Sequence, residues 1–174
     1  MLTSVLLFVV ASSAVPLRVG DTLPVVAGET LSGRTLALPS AAKGKAAMVV
    51  FSFSRAGGND ARLWNDHVSI EGADEGRLLS FTVMMLESVP WILRGMVTSS
   101  IRKQMPSAMY ERSSVVFRDE AIWKQRLAAS DERRAYVLLI DGGARICWMN
   151  SGPFSDSAFG QLKEAVSRVD PPPI

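Results

Sequence analysis

The stretch AAMVVFSFSRAGGND, residues 46–60, decides the fold. Its first half is a continuous apolar run of strand length centred on Val49 to Phe53. A run without alternation is expected of a strand covered on both faces. Its second half, Ser54 to Asp60, is a turn of small and polar residues leading into DARLWNDHV. That segment reads as a short helix with Asn59 or Asp60 as its N-cap. A buried strand feeding a helix through such a turn is the signature of an α/β protein. The N–H groups at this helix start, flanked by Ser54, Arg55, Asn59 and Asp60, suit an anion or a polar peptide segment. Gly57 and Gly58 would permit close backbone approach. A plain turn with a side-chain cap is the simpler reading.

Other elements follow on either side. LSGRTLALPS gives a turn at Ser32-Gly33 and a short strand from Thr35 to Leu38. RLLSFTVMML is a second buried strand. PWILRGMVTSSIRKQM is a helix with Pro90 at its first position, ending before Pro106. SVVF is a brief strand, and DEAIWKQRLAAS a helix with acids in its first turn. AYVLLID, Gly142-Gly143 and ARICWMN make a hairpin. SDSAFGQLKEAVSRV is the last helix, capped by Ser155 or Asp156. The predicted order is β–β–α–β–α–β–α–β–β–α, a mixed sheet flanked by helices.

Composition narrows the chemistry. The chain has 174 residues, 48% hydrophobic and 21% charged, which suits one domain with a proper core. A formal charge of +2 and the lack of a basic run give no footprint for nucleic acid. The single cysteine, Cys147, excludes an intramolecular disulfide and a cysteine zinc site. The single histidine, His67, has no partners at triad or metal-ligand spacing and reads as an ordinary surface or helix residue. No metal and no cofactor is expected, and the sequence leaves the oligomeric state open.

The N-terminal MLTSVLLFVVASSAVP has an apolar run too short for a typical membrane span, then Ser12-Ser13-Ala14. Residues 1–14 read as an export signal, although no Lys or Arg precedes Arg18. The expected organisation is this signal, one domain over residues 15–170, and a proline-rich tail at 171–174. The expected location is periplasmic or secreted in a bacterium.

VGDTLP followed by LSGRTLALPSAAKGKAAMVVFSFS resembles the entry to secreted thioredoxin-like and peroxiredoxin-like domains. In those domains the strand-to-helix turn carries two reactive cysteines. Laying FSFSRAGGNDAR over that turn puts Ala56 and Asn59 in the cysteine positions. The proline that faces the cysteines in such redox proteins would stand near Ala135, within RRAYVLLID, and is also missing. AYVLLIDGGARICWMNSGPFS is similar to the C-terminal signature of the mitochondrial ATP synthase assembly factors. Tyr136, Asp141, Arg145, Ile146, Trp148 and Gly152 match it, while Cys147 replaces a basic residue. LESVPWILRGMVTSSIRKQMP fits the helical middle of that family, and exported bacterial proteins share the pattern. The likeness spans roughly residues 19 to 168. It implies a thioredoxin-like fold without the catalytic cysteines, acting as a binding module, an assembly factor or chaperone for a membrane protein complex. It also implies a protein partner, one associated with a membrane, and a mitochondrial inner-membrane setting as the alternative location.

Three further features bear on function. In the middle helix Leu93, Val97, Ile101 and Met105 recur every fourth residue and should be buried as a core stripe. Ile92 and Met96 point elsewhere, and Arg94, Arg102 and Lys103 face no acid between Ser88 and Tyr110. Such a helix suits docking to a partner or to an anionic membrane surface. Alternatively, a neighbouring loop or the N-terminal hairpin covers the second patch. Trp64, Trp91, Trp123 and Trp148 read as core or rim packing, with Trp148 beside a Gly-Pro loop that could expose it. Cys147 is the only thiol that a divergent thiol peroxidase or thioredoxin-like oxidoreductase could use. Its mid-strand place lacks the helix N-terminus such chemistry needs.

Overall fold

A computed structural model of the chain describes residues 14–70 and 78–169. The predicted export segment, up to residue 13, and the proline-rich tail lie outside the described residues.

Among the described residues seven strands form one mixed sheet: β1 (Val26–Thr30), β2 (Thr35–Leu38), β3 (Ala47–Ser52), β4 (Leu79–Met85), β5 (Ser113–Val116), β6 (Tyr136–Ile140) and β7 (Ile146–Asn150), in the spatial order β2-β1-β5-β4-β3-β6-β7. Among the described residues four α-helices complete it: α1 (Arg55–Ile70), α2 (Trp91–Gln104), α3 (Glu120–Arg126) and α4 (Asp156–Val169). Parallel pairing of β3 with β4, and of β4 with β5, follows from the helical crossovers between them. The β6–β7 hairpin returns antiparallel beside β3.

Every residue of β3 is buried, as expected of an apolar run from Ala47 to Phe51, and Ser52 at its end is buried with them. Met48 and Val50 face α1 and α4, where they meet Trp64, Phe159 and Leu162. Val49 and Phe51 face the opposite layer, where Phe51 stacks on Trp123 of α3 with ring centroids 4.9 Å apart. Truncating a side chain as central as Phe51 to alanine would cost about 3–5 kcal/mol.

Several expectations need correction. β1 was not expected, because Gly28, Glu29 and Thr30 break up its apolar pattern; pairing on both sides, with β2 and β5, makes it a strand. α1 begins at Arg55, well before the expected caps, so Asn59 and Asp60 lie inside the helix. The cap is Ser54, whose Oγ accepts the Gly57 N–H at 3.1 Å while its carbonyl accepts Gly58 N–H at 2.9 Å. The expected free amides of a Ser54–Asp60 turn are therefore largely helical. Pro90 is the N-cap of α2 and has an extended ψ of 136°, so it precedes the first helical residue.

The expected core stripe of α2 is also only partly formed. Ile101 and Met105 pack against Leu31, Met84 and Val115, and Val97 is half-buried. Leu93, however, is 41% exposed, and α2 has no buried residue at all. The helix touches the domain mainly through its C-terminal half, so Leu93 lies beyond the surface that covers the stripe. Trp91 is 79% exposed and belongs to neither core nor rim, whereas Trp64 and Trp123 are buried as expected.

Candidate functional site: a closed junction and an open helix

The β3–α1 junction is occupied by the protein itself. Ser54 Oγ donates to the Glu132 carbonyl at 2.6 Å. Gly57 sits so close to the loop before β6 that a Cβ there would lie 2.7 Å from Glu132 O and 2.9 Å from Arg134 O. Asp60, one turn on, accepts the Ala135 N–H at 2.8 Å and the Phe154 N–H at 2.9 Å. Ala135 occupies the slot that the resemblance assigned to a proline. Proline has no N–H, so the Asp60 bond requires a non-proline residue there. The Arg134–Ala135 peptide is trans. Ala56 and Asn59, which the resemblance sets in the cysteine positions, are both exposed.

Charged residues brace the same loop. Lys124 Nζ lies 2.7 Å from Glu120 Oε1 and 2.6 Å from Glu132 Oε1, and it lies over the Phe53 ring at 5.6 Å. Glu120 is buried and accepts Ser88 N–H at 3.1 Å, while Glu87 accepts Glu120 N–H at 2.8 Å. Burial pushes the Glu120 carboxyl up, but hydrogen bonds from Lys124 and Ser88 outweigh it, so it titrates below an ordinary glutamate. The hydrogen bonds to Glu120 and Glu132 hold the Lys124 ammonium above its usual value. Arg133, through its guanidinium and its N–H, holds Asp131 down to about 2. Asp131 also bonds the Tyr136 hydroxyl, through its own N–H and its carbonyl. These residues join the entrance of α2 to the junction. The Glu120/Lys124 spacing is visible in the sequence, but the reach to Glu132 and Ser88 is purely tertiary.

The remaining predicted residues fall in separate places. Arg55 is exposed at the start of α1. Trp148 is half-buried and packs edge-on against Trp64, 5.9 Å between centroids, in a cluster with Phe154 and Phe159. His67 belongs to the same cluster, 4.2 Å from Phe154, with Nδ1 2.8 Å from the Leu63 carbonyl. Cys147 sits in β7, two strands from β3, with Sγ 3.4 Å from the Arg145 carbonyl. Burial, with the charge of Asp141 adding to it, pushes the Cys147 thiol up, against the smaller pull of Arg145. That is the opposite of what an attacking thiolate needs.

α2 presents the other feature. Ile92 is 70% and Met96 64% exposed, beside Trp91 and Leu93. Arg102 and Lys103 are exposed on the last turn. Arg94 is not part of this outer set: it donates to the Val89 carbonyl at 3.1 Å and its guanidinium lies 4.6 Å over the Phe117 ring. The structure thus groups Ser54 and Asp60 in the junction, and Ile92, Met96, Arg102 and Lys103 on α2. No group of three or more metal-ligating side chains occurs among the described residues, and no described helix is long and apolar enough to cross a membrane.

Known structures show the same architecture. The thioredoxin domain of a thiol-disulfide oxidoreductase from Bacteroides vulgatus aligns at a TM-score of 0.60 with 14% identity, over 86% of this chain and 99% of that one. The exposed lipoprotein thioredoxin of Streptococcus pneumoniae aligns at 0.55 with 16% identity, over 81% and 98%. A peroxiredoxin-like protein from Aquifex aeolicus aligns at 0.55 with 13% identity, over 88% and 90%. At these identities the likeness is one of fold. None of the curated proteins matches the sequence. The ATP10 protein family model matches residues 7–169, nearly the whole chain. With its thioredoxin-like sheet and a junction that holds no cysteine, the chain belongs to the ATP10 protein family.

Proposed function

We propose that this protein is a non-redox thioredoxin-fold binding module that assists the assembly of a membrane protein complex, the ATP synthase being the complex its family points to. The observation that carries this reading is the closed junction. Where a dithiol enzyme needs two cysteines and an open face, Ser54, Gly57 and Asp60 are tied to the loop at Glu132–Ala135. The fold then serves as a scaffold, and its exposed apolar helix α2 is the docking surface. The raised Cys147 thiol speaks against the peroxidase alternative. The proposed location is outside the bacterial cytoplasm, resting on the N-terminal segment, and intact-mass measurement of the native protein reads whether residues 1–14 are removed.

The test has two arms. The purified protein is expected to leave insulin disulfides unreduced above a buffer control, because a lone thiol cannot run a dithiol cycle. Affinity capture from the native host is expected to bring down subunits of the ATP synthase, and deletion to lower the amount of assembled complex. Sustained disulfide turnover, or a deletion strain with normal assembled complex, would refute the reading.

A further inference from the structure

We propose that α2 docks on an anionic lipid bilayer, its first two turns entering the apolar layer and its last turn meeting the headgroups. The inference rests on α2 being the docking surface and names what it docks on.

The arrangement of side chains points to a bilayer. At 100° per residue, Trp91, Ile92, Met96 and Leu93 cover an arc of about 200° around one end of the helix. All four are exposed. A helix that seats in a protein groove shows a narrow stripe at i, i+3 or i+4, and i+7. A broad apolar knob instead suits a medium that surrounds it, with a tryptophan at its edge. Arg102 and Lys103 project over the same outward side, about 9–10 Å farther along the axis than Met96. That separation matches the roughly 5–10 Å depth to which interfacial helices bury their apolar face beneath the headgroups.

The charges and the backbone fit as well. From Ser88 to Tyr110 there is no Asp or Glu. Arg102 and Lys103 take part in no ion pair among the described residues. The flanking acids are engaged elsewhere: Glu87 with the Glu120 N–H, and Glu111 3.8 Å from Arg34. At the entering end, Pro90 offers no N–H, and the Leu93 N–H is bonded to the Pro90 carbonyl at 2.8 Å. Fewer bare donors would therefore enter the apolar layer.

Vesicle flotation tests the proposal, using the whole protein with phosphatidylcholine vesicles, with and without phosphatidylglycerol. The protein should float with the mixed vesicles and scarcely with phosphatidylcholine alone. Lipids brominated in the acyl chains should quench Trp91, and Trp91→Phe should remove that quenching. Arg102→Gln with Lys103→Gln should weaken binding to mixed vesicles on the order of 30-fold, at about 1 kcal/mol per cation. Ile92→Ser with Met96→Ser should abolish it, with melting curves unchanged because both sites are exposed. A protein that stays unbound with both vesicle types, or an Ile92/Met96 variant that binds like the parent, overturns the proposal. So does dimerisation through α2. If vesicles are ignored while the Ile92/Met96 variant loses a protein captured from detergent extract, the lipid assignment falls and α2 stands as a protein-docking face.

Discussion

Gly57 and Gly58 are neighbours in the first turns of α1, and the structure assigns them opposite responses to alanine. At Gly58 a Cβ would meet nothing within 4 Å. Alanine there should stabilise by about 0.5–1 kcal/mol, since it restricts the unfolded chain and favours helix. At Gly57 the same methyl would lie 2.7 Å from Glu132 O and 2.9 Å from Arg134 O, both backbone atoms that cannot rotate away. The loop must shift, which costs about 1–3 kcal/mol as overpacking. The Ser54–Glu132 hydrogen bond would be strained with it, for about another 1 kcal/mol. Against the helix gain, the net is destabilisation by about 1–3 kcal/mol. At roughly 2–4 °C per kcal/mol for a chain of this size, the Tm should fall by about 2–12 °C. Urea and thermal unfolding followed by circular dichroism would measure both variants. If Gly57→Ala were as stable as Gly58→Ala, the junction would not be closed by this contact, and the argument for an occupied site would fail.

Three other outcomes follow from the charges and the thiol. Lys124→Met should leave the buried Glu120 without its cation and free the loop at Glu132, lowering stability by roughly 1.5–3 kcal/mol, as read by urea unfolding. The Glu120 and Asp131 carboxyls both titrate below their ordinary values, so their contribution is present above pH ~4.5 and ~3.8 respectively. Acid titration of stability should show that contribution falling away below those values, with the Asp131 part gone only once the pH passes below about 2. Asp131→Asn should remove that last component, and an unchanged acid profile would contradict the assignment. Cys147 should react slowly with a thiol reagent at neutral pH and faster as the pH rises; the raised thiol keeps the thiolate fraction small. Fast neutral labelling of the folded protein would revive the peroxidase alternative.

The local pattern of the chain was enough for the α/β class. The apolar-rich runs at 46–53 and 78–86 have the length and β-branched and aromatic content of strands covered on both faces, and Pro90, Pro106 and the Gly142-Gly143 turn punctuate what lies between. The absence of reactive cysteines was legible too, because it depends on identity alone. β1 escaped notice because its stability comes from strands on either side, and Gly28, Glu29 and Thr30 carry little strand signal themselves. The start of α1 lies earlier than the sequence suggests because Gly57 and Gly58, both weak helix formers, follow the cap Ser54. The closure of the junction was wholly tertiary. It joins residues 75 to 94 positions apart through Asp60, Ala135 and Phe154. The opposite failure occurred in α2, where a four-residue spacing promised a buried stripe. Spacing fixes which residues share a helix face, but burial depends on how much of the domain lies beneath it. Here the covering surface reaches Ile101 and Met105 and stops short of Leu93.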